Sequence, residues 1–303
     1  MISIIICSRD ASYLRKVSEN VAATIGVPYE LQVIDNSKGE YGICEAYNLG
    51  AARSRFNVLC FMHEDIAFVT QDWGRRVLDT LRDPSIGLIG VAGGQVKTRN
   101  PESWWVPGDR FLRINLIQSF QDVRPTFENC INPLNETISD VVSLDGVWFS
   151  CRREVWEQNR FDSHTFPEFH FYDLDFAMQV FQKGHRVCVV YDVLLEHFSS
   201  GSINASWVKN AIRFSRKWRK HLPVSTQTFD KYKWNRLENE SCKYFITVML
   251  SVNLKNATFF YYLFKYLFSH PQGWTLSKVA KETLRTVMPQ IYRLLKPTGG
   301  NAG

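Results

Sequence analysis

Residues 57–68 read NVLCFMHEDIAF, an unbroken apolar run through Val58, Leu59, Cys60, Phe61 and Met62 that ends in His63, Glu64 and Asp65. A short apolar run closed by polar residues predicts a strand buried on both faces, as in a parallel sheet. In an open α/β sheet, ligands gather beyond the carboxyl ends of the strands. Two carboxylates placed there can hold a hard cation against phosphate oxygens. The competing use of Glu64 and Asp65 is to solvate the strand end or cap the next element.

Upstream, residues 2–7 form a β-branched run followed by Ser8, Arg9, Asp10 and an amphipathic segment to about residue 25. That is strand, polar turn, helix. A second strand at 30–34 (ELQVI) ends in Asp35-Asn36-Ser37. Residues 43–55 then carry Ala46, Gly50 and Ala51, small enough for a helix to pack closely on a sheet. Downstream, 73–81 predicts a helix and 86–91 a fourth strand stopped by Gly93-Gly94. Periodicity fails over 95–139, which holds Pro101, Pro107, Pro125, Pro133 and the adjacent Trp104-Trp105, so a long insert without regular structure is expected there. A strand returns at 141–144 before Asp145-Gly146, a helix at 173–183 is capped by Gly184, and a last core strand at 187–191 leads to Glu196-His197. Strands alternating with helices predict an α/β domain over 1–204, a doubly wound, mostly parallel sheet flanked by helices. Residues 205–303 read as a helical C-terminal extension ending in a frayed tail, KPTGGNAG.

Several strands thus deliver polar groups to one edge: Ser8 and Arg9, Asp35, Glu64 and Asp65, Asp145, and His197. A nucleoside diphosphate needs an acceptor for its base, donors or a metal for its phosphates, and a cavity beside them. Asp35 suits the first task, and Asp65 with His197 suits a metal that neutralises a leaving diphosphate. Each has a plainer use: Asp35 as the shaper of a turn with Asn36-Ser37, and His197 as a packed, hydrogen-bonded imidazole. Asp173 and Asp175 would serve a helix start as caps. Residues two apart on a helix face different ways, so at most one of that pair should point into a site.

In a chain of 303 residues, a composition of 45% hydrophobic and 14% aromatic residues gives no argument for disorder. The start, MISIIICSRD, has no basic region before a short apolar run, and a cytoplasmic location is expected. Seven cysteines, odd in number and without metal-type spacing, read as free thiols, not a zinc site. Residues 205–303 hold seventeen Lys plus Arg against four Asp plus Glu, about +13, while the total of +6 leaves about −7 for the rest. The basic, aromatic-rich part calls for an acidic partner, and an anionic membrane surface is the preferred one. Helix core or contact with a second copy of the chain, as a homo-oligomer, is the other use of those aromatics. No apolar run is long enough to span a membrane, and no recognition motif supports nucleic acid.

The ordered set IIICSRD, VIDNS, GICEAYNLGAARS, FMHEDIAF, LDGVWFSCRREVW, FHFYDLDFAMQVFQKGHRV and EHFSSGS resembles the inverting nucleotide-sugar glycosyltransferases of family 2, in its family-2-like branch. The resemblance covers about the first 200 residues and implies the GT-A type of fold, Rossmann-like, with Mn²⁺ or Mg²⁺ as cofactor and a UDP-linked sugar as donor. It implies that Cys7, Ser8 and Arg9 border the nucleoside, that Asp35 contacts the base, and that Glu64 stands beside Asp65, the last acid of the family's Asp-x-Asp motif and principal metal ligand. His63 stands where the first Asp would be, and imidazole is acceptable to Mn²⁺. His197 matches a histidine that completes the metal site in some members. Asp145 and Gly146 match the floor of the acceptor pocket, with His170 as a further acceptor-side group; Trp148 or the Trp104-Trp105 pair would offer aromatic faces to a sugar ring, and plain core or interface packing is the other use of these tryptophans, the favoured one for Trp148. Asp173 aligns with the catalytic base of a Glu-Asp-x-Asp motif whose Glu is replaced by Tyr172.

The implied activity is transfer of a sugar to a glycan or lipid-linked glycan in surface polysaccharide synthesis, by a peripheral membrane enzyme. The substitutions at His63 and Tyr172 leave open a catalytically weak nucleotide-sugar-binding or scaffolding protein. A sugar nucleotidyltransferase would need a glycine-rich phosphate loop, and CSRDASYLRK contains no glycine.

Overall fold

A computed structural model describes residues 1–105, 108–120, 126–199 and 201–269. The chain opens with β1 (Ile2–Ser8), α1 (Ala11–Thr24), β2 (Tyr29–Asp35), α2 (Ile43–Arg53), β3 (Val58–Met62), β4 (Ile66–Phe68), α3 (Trp73–Thr80), β5 (Ile86–Gly90), β6 (Ala92–Gly94) and β7 (Val96–Lys97). After a single 3₁₀ turn come β8 (Leu112–Gln118), β9 (Phe127–Ile131), β10 (Ile138–Val141), β11 (Ser143–Leu144), β12 (Trp148–Arg152), α4 (Arg153–Gln158), α5 (Tyr172–Gln182), β13 (Arg186–Val190) and β14 (Leu195–His197). The last elements are α6 (Ala205–Lys217), β15 (Val224–Ser225), α7 (Lys231–Ser251) and α8 (Ala257–Phe268). The tail from residue 296 lies outside the described residues.

The main sheet has the order β10-β13-β5-β12-β3-β1-β2. β1, β2, β3, β5 and β13 run one way, while β12 and β10 run against them. β12 sits antiparallel between β3 and β5, so the expected doubly wound core is parallel only on either side of it. β1 lies inside the sheet, between β3 and the edge strand β2, and its isoleucines at 2, 4, 5 and 6 fill both faces, all fully buried. The small residues of α2 act as expected: a Cβ on Gly50 would lie 2.4 Å from Ile5 Cγ2.

Two expectations are corrected. Gly93-Gly94 does not stop the chain's extended run but carries it into β6 of a second sheet, of order β11-β6-β8-β14-β4 with β9 paired to β8. The 95–139 segment is also no structureless insert among its described residues, since β8 and β9 form an antiparallel pair within it. Leu112, Ile114 and Leu116 alternate with Arg113 and Asn115, and the three apolar side chains enter the core beside Val91 and Leu195.

Phe214 and Trp218 around the end of α6, Phe245 of α7 and Phe259 of α8 share one apolar cluster with Phe149 of β12 and Phe176 of α5. The C-terminal helices therefore pack on the sheet through a common core. No helix among the described residues is long and apolar enough to cross a membrane.

Candidate active site

The carboxyl ends of β1 and β3, the tip of β14 and the start of α5 border one cavity of about 960 Å³, lined among others by Cys7, Arg9, His63, Glu64, Asp65, Trp104, Trp105, Asp145, Gly146, His170, Asp173 and His197. Strand register makes this meeting possible. β14 pairs with β4 so that His197 stands opposite Ile66, and Phe198 N–H donates to Asp65 O at 2.9 Å. That pairing sets the side chain of His197 beside Asp65, which the apolar strand β3 has already carried to the sheet edge.

His63, Asp65 and His197 each offer a ligand atom within 4.8 Å of the others. His63 Nδ1 and His197 Nε2 both lie 3.8 Å from Asp65 Oδ1. Burial alone would raise the Asp65 carboxyl, but His63, His197 and the Ser199 hydroxyl outweigh it and hold the group below its usual value. Burial and the neighbouring His63 push His197 down, which keeps its imidazole neutral and able to ligate. The outer partners agree. The Tyr172 hydroxyl donates to Gly146 O at 3.1 Å and lies 2.9 Å from His63 Nε2. With its one proton so used, that hydroxyl accepts from Nε2–H, leaving the His63 Nδ1 lone pair on the Asp65 side. A second ring nitrogen fixed in this way is how ligating histidines are usually oriented. Two imidazoles and a carboxylate suit Mn²⁺ among hard-to-borderline cations.

Asp173 occupies the first turn of α5 and faces the same cavity. Its Oδ2 accepts from Gly146 N–H and its Oδ1 from Leu174 N–H, both at 2.9 Å. Burial, and then the charge of Asp145, push this carboxyl up to about 7 against those two donors. Gly146 permits the arrangement: a Cβ there would fall 2.0 Å from Tyr172 Oη and 3.1 Å from Asp173 Cβ. Asp175 points the other way, as two-residue spacing requires. It is buried against Lys217 and the Trp218 indole at 2.7 and 2.8 Å, and so ties α5 to α6.

Other expected site residues have different places. Trp148 does not face the cavity: its indole is wholly buried, edge-on to Phe68 and Trp73, and donates to Cys60 Sγ. Lying in β12 with Met62 as its partner, it has core on every side, which removes it from the acceptor-facing set. Asp35 lies outside the cavity lining and accepts from Ser37 N–H at 2.9 Å, the turn-shaping use; that bond first, with the Ser37 hydroxyl, lowers its carboxyl. Ser8 is also off the lining and donates to Glu64 at 2.7 Å, while Arg9 N–H and Asp10 N–H donate to the same carboxylate. Glu64 thus fastens the β1–α1 turn to the end of β3. His170, half-buried and held below its ordinary value by burial, lines the cavity beside Glu168.

Two residues absent from the expected site belong to it. Tyr172 is noted in the sequence only as a replacement for Glu, and its position before Asp173 gives no hint that its hydroxyl reaches His63. Ser199 Oγ sits 3.2 Å from His197 Nε2, and two-residue spacing at a strand end is the one signal in the sequence that points to it.

Residues 3–229 match a family model described as a glycosyltransferase-like family. The chain belongs to this family. A comparison with curated protein sequences returned no significant match. Among solved structures, GalNAc-T7 with UDP, GalNAc and Mn²⁺ superposes with a TM-score of 0.51 at 12% identity, over 91% of this chain and 58% of that one. Residues 1–349 of S. aureus TarS give 0.50 at 11% identity, over 97% of this chain and 87% of that one. At such identities the likeness is one of fold, the GT-A glycosyltransferase fold. The chain spans 58% of the GalNAc-T7 length.

Proposed function

We propose that this protein is an inverting, metal-dependent glycosyltransferase that moves a sugar from a nucleoside diphosphate donor, UDP-linked, to a hydroxyl of a glycan or lipid-linked glycan in surface polysaccharide synthesis. The observation that carries this reading is the presence, in one cavity, of a metal-type trio and a separate carboxylate pushed up to about 7. Asp65, His63 and His197 would hold Mn²⁺ or Mg²⁺, which when bound supplies positive charge against the leaving diphosphate. Solved with UDP, GalNAc and Mn²⁺, GalNAc-T7 gives the fold a precedent for such a group.

On the acceptor side Asp173 takes the proton of the attacking hydroxyl as that oxygen bonds to the anomeric carbon. A general base with a value near the working pH is well matched to the step. Gly146 N–H and Leu174 N–H hold its two oxygens in place while it does so. Trp104 and Trp105, packed edge to face at 5.7 Å, offer half-buried aromatic surface for a sugar ring. Glu64 keeps the β1–α1 turn, and with it Arg9, against the donor side.

The departures at His63 and Tyr172 favour an enzyme over a relic, because the two side chains are bonded to each other and to the acceptor-side turn at Gly146. The excess of Lys and Arg over 205–303 supports attachment to an anionic membrane surface from the cytoplasmic side. The deciding assay is release of the nucleoside diphosphate from a panel of nucleotide sugars with Mn²⁺, Mg²⁺ or EDTA, with and without a glycoside acceptor. Metal-dependent release from at least one donor is expected. Absence of release, together with absence of UDP binding in the presence of Mn²⁺, would overturn the proposal. Sedimentation with phosphatidylglycerol vesicles at low salt tests the membrane part, and a chain that stays in the supernatant refutes it.

A further inference from the structure

The Trp104-Trp105 pair reaches the cavity on a loop, yet that loop is fixed by buried and long-range polar contacts. Lys97, at the end of β7, is fully buried and donates from Nζ to Glu102 O at 2.7 Å and Ser103 O at 3.2 Å. Its ammonium lies 3.7 Å from Glu102 Oε1 and 5.1 Å from the centre of the Phe214 ring of α6. Glu102, also fully buried, accepts from Thr98 N–H at 2.6 Å. Burial pushes Lys97 down and Glu102 up, each opposed by its partner's charge. A buried ion pair is weak evidence for stability. Its two carbonyl acceptors close the turn immediately before Trp104.

The same loop is held from outside by the C-terminal helices. Thr98 Oγ1 donates to Ser241 Oγ of α7 at 2.9 Å. Arg99 N–H and the Asn100 amide donate to Glu238 of α7 at 2.9 Å each. Lys265 of α8 donates to Asn100 Oδ1 at 2.7 Å. β15 adds an antiparallel pairing to β7. The loop's partners Glu238, Ser241, Lys265 and β15 all come from beyond residue 204, and none lines the cavity itself.

We infer that Lys97, Glu238, Ser241 and Lys265 are positioning residues that set the Trp104-Trp105 face of the acceptor subsite, so that α7 and α8 act on acceptor affinity through the 98–105 loop. This rests on the reading of the cavity as a glycosyl-transfer site. The helices are then a part of the acceptor site at one remove, and changes on their loop-facing side alter acceptor choice without touching the metal trio or Asp173.

Removing Lys97 would strand a buried carboxylate and endanger folding, so the test uses the full chain with Ser241→Ala plus Glu238→Gln, and Lys265→Met as a second variant. Hydrogen–deuterium exchange over 98–105 reads the loop whether or not sugar is transferred. Exchange there should quicken while peptides holding Asp65 and Asp173 keep the parent's rates. With a UDP-sugar donor and octyl glucoside as acceptor, KM for the acceptor should rise roughly tenfold, as for about 1.4 kcal/mol of lost positioning. UDP affinity with Mn²⁺ and donor hydrolysis by water should stay unchanged. Unaltered exchange over 98–105 in both variants, or an equal loss of UDP binding and transfer, would overturn the inference. A parent chain inert toward every donor would instead refute the glycosyl-transfer reading, and with it the acceptor role of the loop.

Discussion

Replacing Asp173 by Asn should make the protein more stable in alkali and nearly inactive. The carboxyl stands at about 7 instead of 3.8, which at 1.36 kcal/mol for each unit costs the parent about 4 kcal/mol once pH exceeds 7. The sign comes from proton binding. Between those two values the folded state keeps a proton that the unfolded state releases, so the parent is most stable below 3.8 and loses stability as pH rises through 7. Asn carries no charge at any pH and escapes this loss. It retains one carbonyl for the two N–H donors of Gly146 and Leu174, so it forgoes one hydrogen bond worth about 1 kcal/mol. The two effects nearly cancel around pH 4.5 and leave the variant ahead by about 3 kcal/mol at pH 8.5. Urea unfolding at both pH values reads this difference. Transfer activity should fall by about 10² to 10⁴, the usual contribution of a general base. A stability difference that does not change with pH would show that the carboxyl is not raised in the folded state. A variant as active as the parent would refute Asp173 as the base.

Tyr172→Phe removes the acceptor for His63 Nε2–H; Mn²⁺ affinity, followed by electron paramagnetic resonance, should fall about 10-fold to 100-fold with the fold intact by circular dichroism. His197→Ala deletes a ligand outright, and metal-dependent turnover should vanish; turnover that persists at the parent's level would exclude this trio as the metal site. Gly146→Ala drives a methyl into Tyr172 Oη, and a loss of about 1 to 3 kcal/mol in urea unfolding is expected along with activity, whereas a neutral result would show that the turn yields. Glu64→Gln weakens three bonds to the β1–α1 turn, so KM for the donor should rise in steady-state assays while Mn²⁺ affinity holds.

What was legible in the sequence was local. β1 and β3 announce themselves as apolar runs, α2 by its small residues, and the end of α5 by Gly184 with a φ of 85°. Order along the chain then brought Asp65, Asp145, Asp173 and His197 into one expected site, and the structure lines one cavity with all four. The misreadings came from partners that no local pattern encodes. Trp148 in LDGVWFS reads either as a sugar platform or, with more weight, as core, because nothing nearby says that β12 inserts between β3 and β5 and encloses it, and the core use is the one the structure shows. β8 was hidden by the prolines around it, although its alternation of apolar and polar residues was there to be read. Lys97 and Glu102 look like surface charges in KTRNPE, and only the arrival of α6 and α7 from the far end of the chain buries them.

The register of β14 on β4 also governs when the site comes into being. Asp65 and His63 lie early in the chain, and His197 stands beside them through the pairing of β14 with β4 and β8, across more than 100 intervening residues. Contacts so far apart in sequence form late and slowly, since the entropy of closing the loop must be overcome before they contribute. A chain ended before β14 therefore keeps His63 and Asp65 but lacks the third member of the trio, whatever the rest of the sheet has achieved.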